Sequence, residues 1–227
     1  MPGRPIQLIS QEGGKFTINN EALDILKHMN GSIAICSVVG PYRTGKSYIL
    51  NLLLNRPNGF VLGETLKSCT RGIWMWDTPI RHRNEQGQEF NLILLDTEGL
   101  QSTDSTPELD NMIFVLGLLL SSLFVYNTKN VIDREAIRKL GIMTDLSRHI
   151  DSGSGSIDSR ENRPPNAADV RDMVVNLPDF IWSLRDVFLE NEFSSSNEYL
   201  EFALQMETTN PNNDNIKEVF LNFVIEF

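Results

Sequence analysis

The strongest chemical signal in the chain is the run Gly40-Pro41-Tyr42-Arg43-Thr44-Gly45-Lys46-Ser47, which matches G-x-x-x-x-G-K-[ST]. A loop of this pattern cradles phosphates with its backbone N–H groups. Gly40 and Gly45 permit the geometry that turns successive amides toward one point, and a helix opening at Lys46 adds its positive N-terminal end. Lys46 is placed to bridge the β- and γ-phosphates, and Ser47 to ligate Mg2+ through its hydroxyl. The pattern alone serves ATP and GTP equally.

Such a site needs an acidic residue at the end of a neighbouring strand. Asp96-Thr97-Glu98-Gly99 supplies it, directly after the apolar run 91–95. Asp96 acts on the metal through water, and the Gly99 N–H contacts the γ-phosphate. Between the two motifs a threonine must close on the metal when the γ-phosphate is present. Thr65 and Thr70 are both available, and Thr70 is preferred because it directly precedes an apolar run at 73–76. For the base, the common N-K-x-D motif is absent from its expected position, where Ser183-Leu184-Arg185-Asp186 stands instead. A carboxylate at a strand end accepts two hydrogen bonds from guanine N1–H and N2–H2, which adenine does not offer in that pattern. Arg185 has a guanidinium suited to packing over the base.

The elements that must hold these residues follow from periodicity. Residues 32–39 form a nearly continuous β-branched apolar run bounded by glycines, which predicts a buried strand of a parallel sheet. Residues 46–55 predict a helix that ends before Pro57. Runs 73–76 and 91–96 predict an antiparallel pair, with 81–89 as its hairpin connection. A helix over 109–121, a strand over 123–126 and a helix over 133–149 follow, the last placing Ile137, Leu140, Ile142, Met143, Leu146 and Ile150 on one face. Residues 152–168, rich in Gly, Ser, Asn and Pro, read as a mobile surface loop. A strand over 179–184, a helix over 197–206 capped by Ser194-Ser195-Ser196, and a turn at 210–214 complete the pattern. Alternating strands and helices predict one α/β P-loop domain over residues 1–227, a mostly parallel sheet with helices on both faces. The apolar run 219–227 at the end suggests the N-terminal fragment of a longer protein.

Composition agrees with a globular domain, at 41% apolar and 22% charged residues among 227. A net charge of −10 and no basic stripe argue against a nucleic-acid partner, so a polyanionic ligand must be held locally. Cys36 and Cys69 show no metal-ligand spacing and point to a reducing compartment. The N-terminus lacks the apolar core of a signal peptide. The longest uncharged apolar stretch, 113–126, is about 21 Å as a helix and too short to cross a bilayer, so it reads as buried core.

Taken together, the chain resembles the GTPase domain of the guanylate-binding proteins, large GTPases of the dynamin superfamily related to the atlastins. The resemblance rests on the stretches 38–48, 70–76, 94–100, 120–127 and 180–186, and it covers essentially the whole chain. It implies Mg2+-dependent GTP hydrolysis in the cytoplasm, activated when two domains dimerise face to face. In that scheme Arg43 is an arginine finger supplied in cis, and Lys46 and Thr70 act at the phosphates. Ser68 positions the attacking water, Glu98 supports the water network, and Asp186 reads guanine. Tyr42, Thr44, Tyr48, Gly99 and Arg185 line the nucleotide. The sequence departs from the family after Leu100, where Gln101-Ser102-Thr103-Asp104 replaces a glycine-aspartate pair. It also lacks the long helical C-terminal part through which any membrane contact would be made. That departure motivates an alternative, a GTP-dependent binding or assembly module with little hydrolysis.

Overall fold

The computed structural model describes residues 3–12, 14–62, 71–102, 105–153, 177–186, 193, 195–205 and 224–226. Strand β3 (Ser32–Val39) lies at its centre and pairs in parallel with β6 (Glu89–Thr97) on one side and β7 (Leu123–Lys129) on the other. β8 (Asp179–Arg185) continues the parallel set beyond β7, and β9 (Val224–Glu226) pairs in parallel with β8. On the other flank β4 (Ile73–Trp76) runs antiparallel to β6, β1 (Pro5–Glu12) antiparallel to β4, and β2 (Lys15–Ile18) antiparallel to β1. The result is a mixed, mostly parallel sheet.

Helices cover both faces, because β3, β6, β7 and β8 alternate their side chains between two apolar layers. Cys36, Val38, Leu94 and Val125 pack with Leu50 of α2 (Lys46–Leu53) on one face. Phe124, Tyr126 and Trp182 face the other, against Phe114 of α3 (Pro107–Leu119), Leu140 of α4 (Arg134–Gly153) and Leu200 of α5 (Ser196–Gln205). Ala22 of α1 (Asn20–Lys27) joins that second layer. The Phe114 ring meets Phe124 and Tyr126 edge-on at 5.2 and 5.6 Å. The stretch 113–126 is split between the end of α3 and the start of β7; Ile113, Phe114, Leu118 and 124–126 are buried core, whereas Leu119 is 54% exposed.

Several elements differ from the sequence expectation. Residues 81–89 are not a plain connection: β5 (Ile80–Arg83) is a strand that pairs with β6, and only the turn after it is loop. Asn84 shapes that turn, its Oδ1 accepting from the amides of Gln86 and Gln88. The β1–β2 hairpin and α1 were not anticipated. Helix α3 starts at Pro107, with Thr106 Oγ1 accepting from the Leu109 amide, so the helix sits two residues earlier than its apolar spacing implied. Helix α4 runs through Gly153 and takes in the first two residues of the expected loop; residues 154–168 lie outside the described residues, as does the expected turn at 210–214. Ser195 Oγ accepts from the Glu198 amide at 3.2 Å and so supplies the cap expected for α5. No helix among the described residues is long and apolar enough to cross a membrane.

Cys36 sits 3% exposed on the central strand, and burial pushes its thiol up to about 11. The thiolate is the reactive form. Alkylation at pH 8 followed by peptide mapping should leave Cys36 unmodified in the native protein and modify it fully in denaturant; rapid native labelling would contradict its place in the core.

Candidate functional site

Parallel register brings the carboxyl ends of four strands level. Val38 of β3 stands opposite Asp96 of β6 and Val125 of β7, and Lys129 of β7 opposite Arg185 of β8. The crevice at these ends is where open α/β sheets bind ligands. The loop leaving β3 enters it at once. A side chain at position 40 would place its Cβ 1.9 Å from the Asn127 carbonyl oxygen, so only glycine lets the loop start there.

The loop is tied down by its carbonyls. The Gly40 oxygen accepts from the Leu100 amide at 3.1 Å, and the Tyr42 amide donates back to the Leu100 oxygen at 2.7 Å. The Pro41 oxygen accepts from Thr44 Oγ1 at 2.9 Å and Lys46 Nζ at 3.1 Å. The Thr44 oxygen accepts from Asn127 Nδ2 at 2.8 Å and Arg185 Nη1 at 3.0 Å. Helix α2 then opens at Lys46 behind Gly45, whose φ of 86° is left-handed and whose missing side chain leaves the first amides of the helix uncapped by it. Those amides and the helix dipole suit an anion.

Lys46, Ser47 and Asp96 converge below the loop. Lys46 is 7% exposed, and burial lowers its ammonium to about 8 against the opposing pull of Asp96 and Glu98. Ser47 Oγ donates to Asp96 Oδ2 at 2.7 Å. A hydroxyl paired with a carboxylate is a hard-oxygen donor set that fits Mg2+, which binds through one or two such ligands and completes its shell with water and phosphate oxygens. Thr97 Oγ1 donates to the Val38 oxygen at 2.9 Å and fixes the end of β6 against β3.

The remaining candidates are distributed around this centre. Glu98, 7% exposed, accepts from the Gly72 amide at 3.0 Å through Oε2, while its own amide donates to the Gly72 oxygen at 2.8 Å. Gly99 packs against the loop, where an added Cβ would lie 2.6 Å from Tyr42 Cα. Arg43 is exposed at the crest with φ 62°, its guanidinium 5.5 Å from the Tyr42 ring centroid. Arg185 lies over the Tyr48 ring at 5.6 Å while holding the Thr44 carbonyl, and Asp186, half-exposed with φ 55°, has Oδ2 3.8 Å from Lys129 Nζ. Ser68 and Thr70, with the competing Thr65, lie outside the described residues. The sequence reading missed Asn127 as a site residue. Its only signal is a polar residue closing the apolar run of β7.

Residues 13–224 match the family model described as guanylate-binding protein, N-terminal domain. The chain is 40% identical over 207 residues to human guanylate-binding protein 4, an alignment covering 89% of this chain and 31% of that protein. Human guanylate-binding protein 2 is 40% identical over 215 residues, covering 91% of this chain and 34% of its own length. Guanylate-binding protein 7 of Mus musculus is 38% identical over 207 residues, covering 89% and 31%. The chain thus spans about a third of the length of the curated relatives it matches.

The close approach at Gly40 is directly testable. Gly40→Ala drives a methyl group into the main-chain oxygen of Asn127, a β7 residue held in register with Ser183 of β8, so it should destabilise the domain by about 2 kcal/mol or more. Urea unfolding measures this; an unchanged midpoint would show that the loop does not pack on Asn127 as described.

Proposed function

This chain belongs to the guanylate-binding protein family, and from that premise we propose that it binds GTP with Mg2+ and hydrolyses it, activated by pairing with a second copy of itself. The observation that carries this reading is the 2.7 Å contact between Ser47 Oγ and Asp96 Oδ2 beside the buried Lys46. Ser47 and Asp96 would hold the ion, which would supply charge neutralisation at the phosphoryl oxygens. Lys46, freed from the Pro41 oxygen, bridges the β- and γ-phosphates, and the Gly99 amide meets the γ-phosphate from the opposite side. Asp186 exchanges its long contact with Lys129 for the guanine edge. By the family resemblance Thr70 would join the metal ligands, Ser68 would orient the attacking water and Glu98 would support it.

Arg43 supports the dimer-activated part of the proposal. It occupies an exposed, left-handed position that costs about 1 kcal/mol or more for a non-glycine residue. At the crest of the phosphate loop, its guanidinium needs only a covering surface to press it onto the phosphoryl group, and a second copy facing the crevice supplies one. Because the relatives are longer, we read residues 1–227 as the GTPase domain of a longer cytoplasmic protein whose remaining part makes any membrane contact.

One observation favours a second reading, a GTP-dependent assembly module with little hydrolysis. After Leu100, Gln101 and Ser105 are tied to α3: Asp110 accepts from the Gln101 amide at 2.8 Å and from Ser105 Oγ at its other oxygen. A segment held this way resists the rearrangement that a γ-phosphate switch requires.

Arg43→Ala should lower phosphate release by about a hundredfold or more, while GDP affinity stays within about threefold. Single-turnover assays over a protein concentration series measure this. Equal turnover of variant and parent sinks the finger assignment, and no phosphate release by the parent at any concentration favours the assembly module. Asp186→Asn should weaken GTP binding by about tenfold or more and turn preference toward XTP; a parent chain that binds ATP as well as GTP in competition refutes the guanine reading.

A further inference from the structure

We propose that Asn127 and Arg185 form a clamp on the Thr44 carbonyl that sets the shape of the phosphate loop, which makes both of them positioning residues for phosphate. The inference rests on the nucleotide-binding reading above and assigns Arg185 to the loop instead of to the base.

The two donors reach one acceptor from neighbouring strands. Asn127 Nδ2 lies 2.8 Å and Arg185 Nη1 3.0 Å from the Thr44 oxygen. Because that partner is a carbonyl, the amide orientation of Asn127 is settled: only its NH2 group can face it. The Asn127 side chain is fully buried, and its Oδ1 has no hydrogen-bond partner among the described residues. A buried acceptor left without a partner is destabilising, and an apolar residue of similar size would avoid that penalty. The amide is therefore present for its donor.

Both glycines of the loop fit this clamp. Gly40 packs on the Asn127 backbone oxygen, so one residue bounds the start of the loop with its main chain and holds the far side with its side chain. A Cβ on Gly45 would lie 1.7 Å from Arg185 Nη1, so glycine there leaves room for the guanidinium to reach the carbonyl one residue earlier. The Tyr48 ring, 5.6 Å from the guanidinium carbon, supports the same arginine from the first turn of α2. Drawing the Thr44 oxygen back toward β7 and β8 keeps its partial negative charge away from an incoming phosphate and leaves the loop amides facing the crevice.

A ligand without a base separates the two roles of Arg185. Inorganic tripolyphosphate with Mg2+ occupies the phosphate loop alone, and its inhibition constant is read by displacement of a fluorescent GTP analogue, normalised to the fraction of folded protein. Arg185→Met should weaken tripolyphosphate and GTP by the same factor, about ten- to a hundredfold, the scale of one charge-assisted hydrogen bond. Arg185→Lys, which keeps a charged donor, should recover most of the loss. Asn127→Asp, which keeps the shape but removes the donor, should also weaken both ligands together. If Arg185→Met weakens GTP and leaves tripolyphosphate unchanged, the residue serves the base and the clamp is refuted. Loss of folded fraction with unchanged constants likewise reduces it to a structural role. If the parent binds neither ligand, the nucleotide-binding reading itself fails; a parent that binds both, with variants that match it, overturns the clamp alone.

Discussion

A loop that offers its N–H groups to a ligand must dispose of its carbonyls elsewhere. In this protein the second requirement organises the structure around the first. The oxygens of Gly40, Pro41 and Thr44 all turn away from the crevice, toward Leu100, Lys46 with Thr44, and Asn127 with Arg185 respectively. These partners come from the segment after β6, from α2, from β7 and from β8. The Pro41 oxygen finds its partners locally, but those of Gly40 and Thr44 come from 60 or more positions away, so the loop has its full shape only when four elements meet at one end of the sheet.

That meeting is enforced by burial. A one-residue slip between parallel strands would turn each strand's apolar set toward the wrong layer. β3, β6 and β7 have both faces covered, and Val38, Leu94, Leu95 and Phe124 are each 0% exposed. The hydrophobic cost of a slip therefore fixes the register, and the register places Asp96 beside Ser47 and Asn127 beside Gly40. The charges follow from the same packing. Lys46 is buried where Asp96 and Glu98 are also buried, so its lowered affinity for a proton reflects a site short of water. In the proposed complex, phosphate would bring negative charge into that dry environment and favour the protonated lysine, which would tie ligand affinity to core packing.

What could be read in the sequence divides along the same line. The central strands announce themselves because burial on both faces leaves continuous apolar runs. β5 does not: Ile80-Arg81-His82-Arg83 is a strand only because its backbone pairs with β6. β1 is disguised by a register shift between Gln7 and Ile9, which breaks the alternation that would reveal it, and β2 alternates over only four residues, too short a run to stand out. At the site, the phosphate loop and Asp96 were legible because their chemistry depends on short spacings. Asn127 was not, since its partner is a main-chain oxygen 83 positions away and no side-chain pattern encodes such a contact.

The geometry also separates what is held from what is poised. Thr44 and Asp96 are almost wholly buried, the first held by Asn127 of β7 and Arg185 of β8 and the second bonded to Ser47 of α2. Arg43, one residue before Thr44, is exposed in a left-handed conformation. A rigid cradle stabilises ground-state and transition-state phosphate nearly alike and so contributes chiefly to affinity. In the proposed reaction, rate would come from a group whose contact strengthens as charge moves, the part assigned above to the exposed Arg43 guanidinium. Under the proposed clamp, a rigid Thr44 would also fix the pivot from which the Arg43 side chain leaves the backbone, so that the guanidinium would reach the phosphate without reshaping the loop that holds it.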